Sequence, residues 1–241
     1  MTNQSADNER EVYARQAEQY ERLIRREDYQ GNILPALAAI TSLRGKQVVE
    51  LGAGTGRLTR LLAPLVRSIH AFDLSAHMLR LAGSSLVETG LHNWGLALAD
   101  HRRLPVKGDV ADVIIAGWSV CYLVTWNPSG WQADLQLALD EMERVLRPGG
   151  TILLLETLGT GHEMPNPPKH LLEYYRYLEG HGFQSTWIRT DYRFASLEEA
   201  EQLSRFFFGD ELARAVVEKQ WKTLPECTGI WWKQISDRRG F

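Results

Sequence analysis

The stretch Val48–Arg57, which reads VVELGAGTGR, predicts a strand, a glycine turn and the first residue of a helix. Val48 and Val49 favour a strand, which ends at the acidic Glu50. Glycines then occupy every second position, at 52, 54 and 56, and the pattern RLTRLL that starts at Arg57 is helical. Residues without a Cβ allow positive φ and let a ligand approach the backbone, and the first N–H groups of a helix favour a polar or anionic ligand group. The stretch therefore predicts a ligand-binding turn.

The spacing of the glycines separates this turn from a dinucleotide-binding turn. The dinucleotide fingerprint G-x-G-x-x-G/A needs a small third residue, and counting from Gly52 that position is Arg57. A carboxylate at Glu50, just before the turn, would also repel an approaching pyrophosphate. The same carboxylate suits a cationic, amino-bearing ligand. An NAD(P)-dependent oxidoreductase is therefore a disfavoured alternative.

The arrangement E-x-G-x-G-x-G from Glu50 to Gly56 resembles motif I of the class I S-adenosylmethionine (SAM)-dependent methyltransferases. In that family the glycine loop lies under the methionine part of a sulfonium cofactor. The resemblance implies SAM as the cofactor, with Glu50 facing its cationic amino end. It also implies cofactor contacts from the loop residues Gly52, Ala53, Gly54 and Arg57.

The composition indicates one globular domain without a strong charge bias. Of the 241 residues, 44% are hydrophobic and 24% are charged, and the formal net charge is −3. The lack of a basic excess argues against nucleic acid as the main partner. Cys121 and Cys227 form no C-x-x-C pair and the histidines lack metal-ligand spacing, so the sequence predicts no disulfide framework and no bound metal. No apolar run approaches the roughly 20 residues that span a bilayer, and the polar N-terminus is not a signal peptide, so we expect no membrane contact and a cytoplasmic location.

Apolar strands that alternate with helices after the turn predict the fold class. Short apolar runs at 68–72, 94–98, 112–116 and 151–155 alternate with helical segments such as Trp131–Leu146. This order predicts an α/β, doubly wound, Rossmann-like sheet of seven mostly parallel strands with helices on both faces. We expect Phe183–Phe194 and Gly229–Gln234 to be the closing strands, the last of them antiparallel. Between them, a capping box at Ser196 predicts the first of two helices.

An acidic residue, Asp73, ends the second predicted strand, 17 residues after Gly56. A carboxylate at this place can accept charge-assisted hydrogen bonds from both hydroxyls of a ribose. The alternative is a helix cap, but Ser75 can cap the helix that follows. Leu74 and Met78 are then expected to provide apolar contacts for an adenine face.

The residues after the third and fourth strands complete the predicted site. In the resembled family an acidic residue after the third strand accepts a hydrogen bond from the adenine amino group, and a neighbouring backbone N–H serves the ring nitrogen. Asp100 and His101 occupy those positions, with a solvated loop as the alternative. Gly117 would let a backbone carbonyl approach the cofactor. Trp118 is either a core residue or, with Tyr122, part of the substrate pocket.

The N-terminal helical segment, Glu9–Arg26, carries Tyr13 and Tyr20 on one face. Core packing against the sheet is one interpretation. The other is a lid over the ligand, because Y-x-x-x-A-x-x-Y-(D/E) resembles the cofactor-covering segment of the same family. We therefore divide the single domain 1–241 into an N-terminal helical lid (1–41), a cofactor-binding core (42–156) and a substrate-side part (157–241), with a loop expected at 156–170.

Together these motifs predict a SAM-dependent methyltransferase that acts on a small molecule. The protein would hold an O, N or C acceptor in line with the S–CH₃ bond, so that positioning and desolvation supply much of the rate. No catalytic residue is assigned, because a general base is optional and Tyr122, His162 and His170 are candidates by position alone. A non-catalytic methyltransferase-like partner protein and a nucleic-acid methyltransferase are alternatives that the residues leave open. The acceptor and the oligomeric state are open as well.

Overall fold

The structure, a computed structural model, describes residues 15–236. Its main sheet has seven strands, which are β1 (Gln47–Leu51), β2 (Ser68–Asp73), β3 (Trp94–Leu98), β4 (Ala111–Gly117), β5 (Leu146–Thr160), β6 (Gln184–Arg189) and β9 (Glu226–Gln234). A separate two-stranded sheet pairs β7 (Tyr192–Arg193) with β8 (Thr223–Leu224).

The strand order of the main sheet is β3-β2-β1-β4-β5-β9-β6. The first five strands in this order run parallel to one another, whereas β9 runs antiparallel to both β5 and β6. The order reverses direction between β1 and β4, which is the place where open α/β sheets bind their ligands. The predicted seven-stranded, mostly parallel sheet with an antiparallel last strand is confirmed.

Nine α-helices lie within the described residues, which are α1 (Ala17–Ile24), α2 (Ile33–Ile40), α3 (Arg57–Leu62), α4 (Ala76–Val87), α5 (Cys121–Trp126), α6 (Trp131–Val145), α7 (Leu172–Gly180), α8 (Leu197–Phe208) and α9 (Asp210–Glu218). A short 3-10 turn, Lys169–Leu171, precedes α7. None of the helices within residues 15–236 has the length and apolar character that crossing a membrane requires.

Alternating side chains of the sheet pack against helices on both of its faces. Val49 and Ile114 belong to a buried cluster that includes residues of α5, α6 and α7. Their neighbours Val48 and Val113 belong to a second cluster with residues of α2 and α3. Because successive strand residues point to opposite faces, this division shows that helices cover both faces, as predicted. A third apolar cluster joins α1, α8, α9 and the β7–β8 sheet.

The predicted single strand Phe183–Phe194 is wrong, because the chain changes sheets after Arg189. The buried carboxylate of Asp191 accepts hydrogen bonds from Arg189 Nε at 2.7 Å and Nη2 at 2.9 Å, and also from the backbone N–H of Glu226 at 2.9 Å. These bonds stabilise a break in the strand between β6 and β7. The expected loop at 156–170 is also shorter, since β5 continues to Thr160, which pairs with Glu226. Helix α5 and strand β8 were not predicted.

Candidate functional site

A cavity of about 520 Å³ lies at the carboxyl ends of the parallel strands. This volume is typical of small-molecule sites. Its lining includes most of the residues that the sequence indicated, which are Tyr20, Gly52, Gly54, Asp73, Leu74, Met78, Asp100, His101, Gly117, Trp118 and Tyr122. It also includes Trp126, an aromatic residue that the sequence places near the expected pocket, and residues that were not predicted, which are Ser75, Arg102, Ser119, Leu123, Asn127 and Asp134.

The glycine turn forms the floor of this cavity. Gly52 and Gly54 have φ angles of +71° and +52°, which side chains disfavour. A Cβ on Gly52 would lie 2.2 Å from the Cβ of Ser119, whereas a Cβ on Gly54 would meet nothing within 4 Å. Gly52 therefore allows the turn to pack against the loop after β4, and Gly54 faces open space that a ligand can fill.

Asp73 lies at the tip of β2 with a fixed orientation. Its Oδ2 accepts the N–H of Gly54 at 2.8 Å, and its Oδ1 accepts the N–H of Ser75 at 2.7 Å. The hydroxyl of Ser75 caps α4 by accepting the N–H of Met78, so the predicted cap by Ser75 is confirmed. Each carboxylate oxygen of Asp73 keeps one lone pair for a ligand, a geometry that suits two neighbouring hydroxyls.

Glu50 does not line the large cavity but a smaller one beside it. The small cavity, about 30 Å³, is also lined by Ala53, Thr55, Arg57 and Trp118. The hydroxyl of Thr59 donates to Glu50 Oε2 at 2.5 Å. Burial raises the pKa of Glu50 to about 8, and the negative charge of Asp73 adds to this rise. A positively charged ligand group in the small cavity would favour the ionised carboxylate.

Asp100 faces the large cavity but is already bound to Arg102. Arg102 Nη2 donates to Asp100 Oδ2 at 2.6 Å, and this hydrogen bonding holds the pKa of Asp100 below its ordinary value. The adjacent His101 is buried, and burial lowers its pKa, which favours the neutral ring. Asp73 and Asp100 thus lie in one cavity, with Glu50 in the adjoining one.

Residues 49–154, which include the glycine turn, Asp73 and Asp100, are similar to a known protein family. A family model described as a methyltransferase domain matches residues 49–154. This part of the chain, less than half of the 241 residues, is thus similar to a methyltransferase domain. The resemblance of the Glu50–Gly56 motif to the SAM-dependent methyltransferases is thereby confirmed for this part of the chain.

The curated relatives of this chain are similar over part of their length. The ubiquinone/menaquinone biosynthesis C-methyltransferase UbiE of Coxiella burnetii is 30% identical over 125 residues, which cover 49% of this chain and 46% of that protein. The malonyl-[acyl-carrier protein] O-methyltransferase of Salmonella typhimurium is 29% identical over 58% of this chain and 50% of its own length. The chain spans about half the length of the curated relatives it matches. The structure of the YcgJ protein from Bacillus subtilis covers 84% of this chain and 97% of its own with a TM-score of 0.57 at 16% identity, which shows a shared fold.

Trp118 separates the large cavity from the small one, since it lines both. Its φ is +50°, an uncommon value for a bulky side chain. The guanidinium of Arg57 stacks on its ring and also lies 2.5 Å from Glu27 Oε2. Tyr192 donates a hydrogen bond to the same carboxylate oxygen at 3.0 Å. Trp118 is therefore a cavity wall held by a buried polar network, and it also packs, partly buried, against the second apolar cluster.

Helix α1, in the N-terminal part of the described chain, borders the cavity and packs against α8. Tyr20 lines the cavity and packs against Phe207 of α8, with ring centroids 5.5 Å apart. Arg26 forms an ion pair with Glu199 of α8 at 2.7 Å. Among the described residues, those that line the cavity include none from α8 or α9, so these helices support α1 instead of touching the site. Tyr13 lies outside the described residues.

The two histidines proposed by position do not reach the cavity. Neither His162 nor His170 is among the described residues that line it, and His162 is hydrogen-bonded to Asn166 at 2.9 Å. The sequence reasoning missed Arg102, Asn127 and Asp134, which meet at the far end of the cavity. The 32 positions between Arg102 and Asp134 leave no local spacing that could have indicated their ion pair.

Proposed function

We propose that this chain transfers a methyl group from SAM to a small-molecule acceptor by in-line displacement. The observation that carries the proposal is that Asp73 and Asp100 line one cavity together with the glycine turn of a methyltransferase domain. The names of the relatives include a C-methyltransferase and an O-methyltransferase, so the acceptor atom is left as O, N or C.

The residues present fit the cofactor. Of the carboxyl groups that line the two cavities, Glu50, Asp73 and Asp100 can act as acceptors for the cationic amino group and the N–H and O–H donors of the cofactor. The buried hydroxyl oxygen of Thr55, which lines the small cavity, has no hydrogen-bond partner. Such an orphaned group is costly unless a ligand or water satisfies it. Gly54 leaves its side-chain position open for the ligand.

Each residue then has a binding role. Glu50 would accept the ammonium group in the small cavity, and Asp73 would accept the ribose hydroxyls. Asp100 and the backbone N–H of His101 would bind the adenine edge, with apolar contacts from Leu74 and Met78. When bound, SAM supplies a methyl group activated by a positively charged sulfur.

The acceptor would lie against aromatic side chains. Tyr20, Trp118 and Tyr122 line the large cavity, and Tyr122 stacks on Trp126 with ring centroids 4.7 Å apart. Aromatic faces exclude water and favour planar or apolar acceptors. We assign no general base, so the chain's contribution is to hold the acceptor and exclude water.

Calorimetry with SAM and S-adenosylhomocysteine tests this proposal. We expect the wild type to bind both ligands, and Asp73→Ala to weaken the affinity by about 100-fold or more, because two charge-assisted bonds are lost. Asp112→Ala is the matched control, since Asp112 binds the backbone of Gln47 at the opposite end of the sheet. Absence of binding by the wild type would reject the proposal. Tight binding without any consumption of SAM in the presence of candidate acceptors, together with copurification of a stable partner, would favour a non-catalytic protein.

A further inference from the structure

Arg102 binds Asp100 at three points and leaves it little capacity for a ligand. The backbone N–H of Arg102 donates to Asp100 Oδ1 at 2.8 Å, and its Nε donates to the same oxygen at 2.9 Å. Its Nη2 donates to Oδ2 at 2.6 Å. A carboxylate oxygen accepts about two hydrogen bonds, so Oδ1 is saturated and Oδ2 keeps one lone pair.

Arg102 is itself held in place from the other side of the cavity. Its Nη1 donates to Asp134 Oδ1 at 2.7 Å, and Asn127 Nδ2 donates to Asp134 Oδ2 at 2.8 Å. These three side chains and that of Asp100 all line the large cavity. The side chains of Arg102 and Asp100 are 38% and 30% exposed, and ion pairs at such exposure add little to stability. The network is therefore better explained by orientation of Asp100 than by stabilisation of the fold.

We propose that Arg102 is a positioning residue that presents a single lone pair of Asp100 to the nucleobase and so makes this end of the cavity select a base with an amino donor. This inference rests on the proposed function, because it assigns the nucleobase to the Asp100 end of the cavity. An amino group donates to the free lone pair. A carbonyl oxygen at the same place would face a carboxylate that cannot turn away, because both of its oxygens are held.

The test compares the affinities for S-adenosylhomocysteine and for its hypoxanthine analogue, S-inosylhomocysteine, by calorimetry. We expect the wild type to favour the adenine ligand by about 10-fold or more, as for a hydrogen bond to a charged group. Arg102→Ala removes both side-chain hydrogen bonds to the carboxylate and leaves only the backbone N–H of residue 102 to orient it, so the preference falls below about 3-fold, the scale of a weakly oriented surface contact. Asp134→Asn keeps the shape of the wall, weakens the hold on Arg102, and gives an intermediate preference.

Arg144→Ala is the matched control. Arg144 anchors the same β3–β4 loop by donating to the carbonyl oxygen of Val106 at 2.9 Å, outside the cavity. Its loss should leave the adenine preference unchanged. The inference is overturned if Arg102→Ala keeps the wild-type preference, or if Arg144→Ala lowers the preference equally, which would indicate general loop order. If the wild type binds neither ligand, the proposed function and this inference are both rejected. If the wild type binds and Arg102→Ala keeps the wild-type preference, only this inference is rejected.

Discussion

The guanidinium carbon of Arg57 lies 3.6 Å from the centroid of the Trp118 ring. This contact connects the first residue of α3 with the residue that follows β4, at the boundary between the two cavities. The same guanidinium pairs with Glu27, which precedes α2. One side chain thus links the N-terminal part of the described chain to the wall of the site, and its replacement should affect both stability and ligand binding.

Arg57→Met should lower the free energy of unfolding by about 3 kcal/mol, because it leaves the buried Glu27 carboxylate without its cation. The double variant Arg57→Met, Glu27→Met should recover part of this loss, since both charges are then removed but the buried hydroxyl of Tyr192 loses its acceptor. Urea denaturation measures the effect. Arg205→Ala, which breaks an exposed ion pair with Glu201, is the control and should cost less than about 1 kcal/mol. If Arg57→Met loses no more unfolding free energy than Arg205→Ala, the buried ion pair is not needed for stability.

Glu226 should make the protein less stable as the pH rises. Burial raises the pKa of Glu226 from 4.5 to about 8 in the folded state. The folded protein therefore binds this proton more tightly than the unfolded chain, and the resulting stability is complete below pH 4.5 and lost as the pH rises towards 8. The unfolding free energy of the wild type minus that of Glu226→Gln should fall by on the order of 1 kcal/mol per pH unit across this window. Glu173→Gln, on the exposed side of α7, should show no such trend, and a flat difference for Glu226→Gln would contradict the prediction.

Glu50 should release a proton when the ligand binds. Its pKa of about 8 keeps it mostly protonated at neutral pH, and an ammonium group in the small cavity would lower that pKa. Binding of S-adenosylhomocysteine at pH 7 should therefore release up to about one proton, measured from the enthalpy in buffers of different ionisation heat. Glu50→Gln should abolish the release. Glu226→Gln removes a carboxyl group of similar pKa that lines neither cavity, and it should leave the release intact.

Alanine substitutions at the two glycines of the turn should have different effects on stability and ligand affinity. Gly52→Ala places a Cβ into Ser119, whose hydroxyl donates to the carbonyl of Leu51 at 3.0 Å, and should cost about 2–4 kcal/mol of folding free energy. Gly54→Ala meets no atom within 4 Å and should cost only about 1 kcal/mol, from its positive φ. The added methyl group of Gly54→Ala occupies ligand space, so this variant should lose affinity for S-adenosylhomocysteine more than stability. Thermal unfolding and calorimetry together distinguish the two, and equal stability losses would contradict the packing argument.

The sequence alone determined the fold class and most of the predicted residues that line the large cavity. Strand, turn and helix at Val48–Arg57 follow from apolar runs and glycine spacing, which are local properties of the chain. Asp73 and Asp100 could be predicted because residues that end neighbouring parallel strands must meet at one edge of the sheet. The same rule did not reveal that Glu50 lies in a separate small cavity, because that depends on how α1 and α3 pack over the turn.

Only the tertiary structure decided which side chains control these residues. Glu27, Arg57 and Tyr192 come from three distant segments, and Tyr192 is 165 positions from Glu27. Asp134 reaches Arg102 because α6 packs beside the β3–β4 loop, and Asp191 breaks a predicted strand because Glu226 and Arg189 bind its carboxylate. Periodicity reports which face of an element is buried, but the pairing of buried charges is set by the approach of whole elements. The sequence therefore specified which strand ends border the proposed site, and the packing of the chain specified how the charges around it are held.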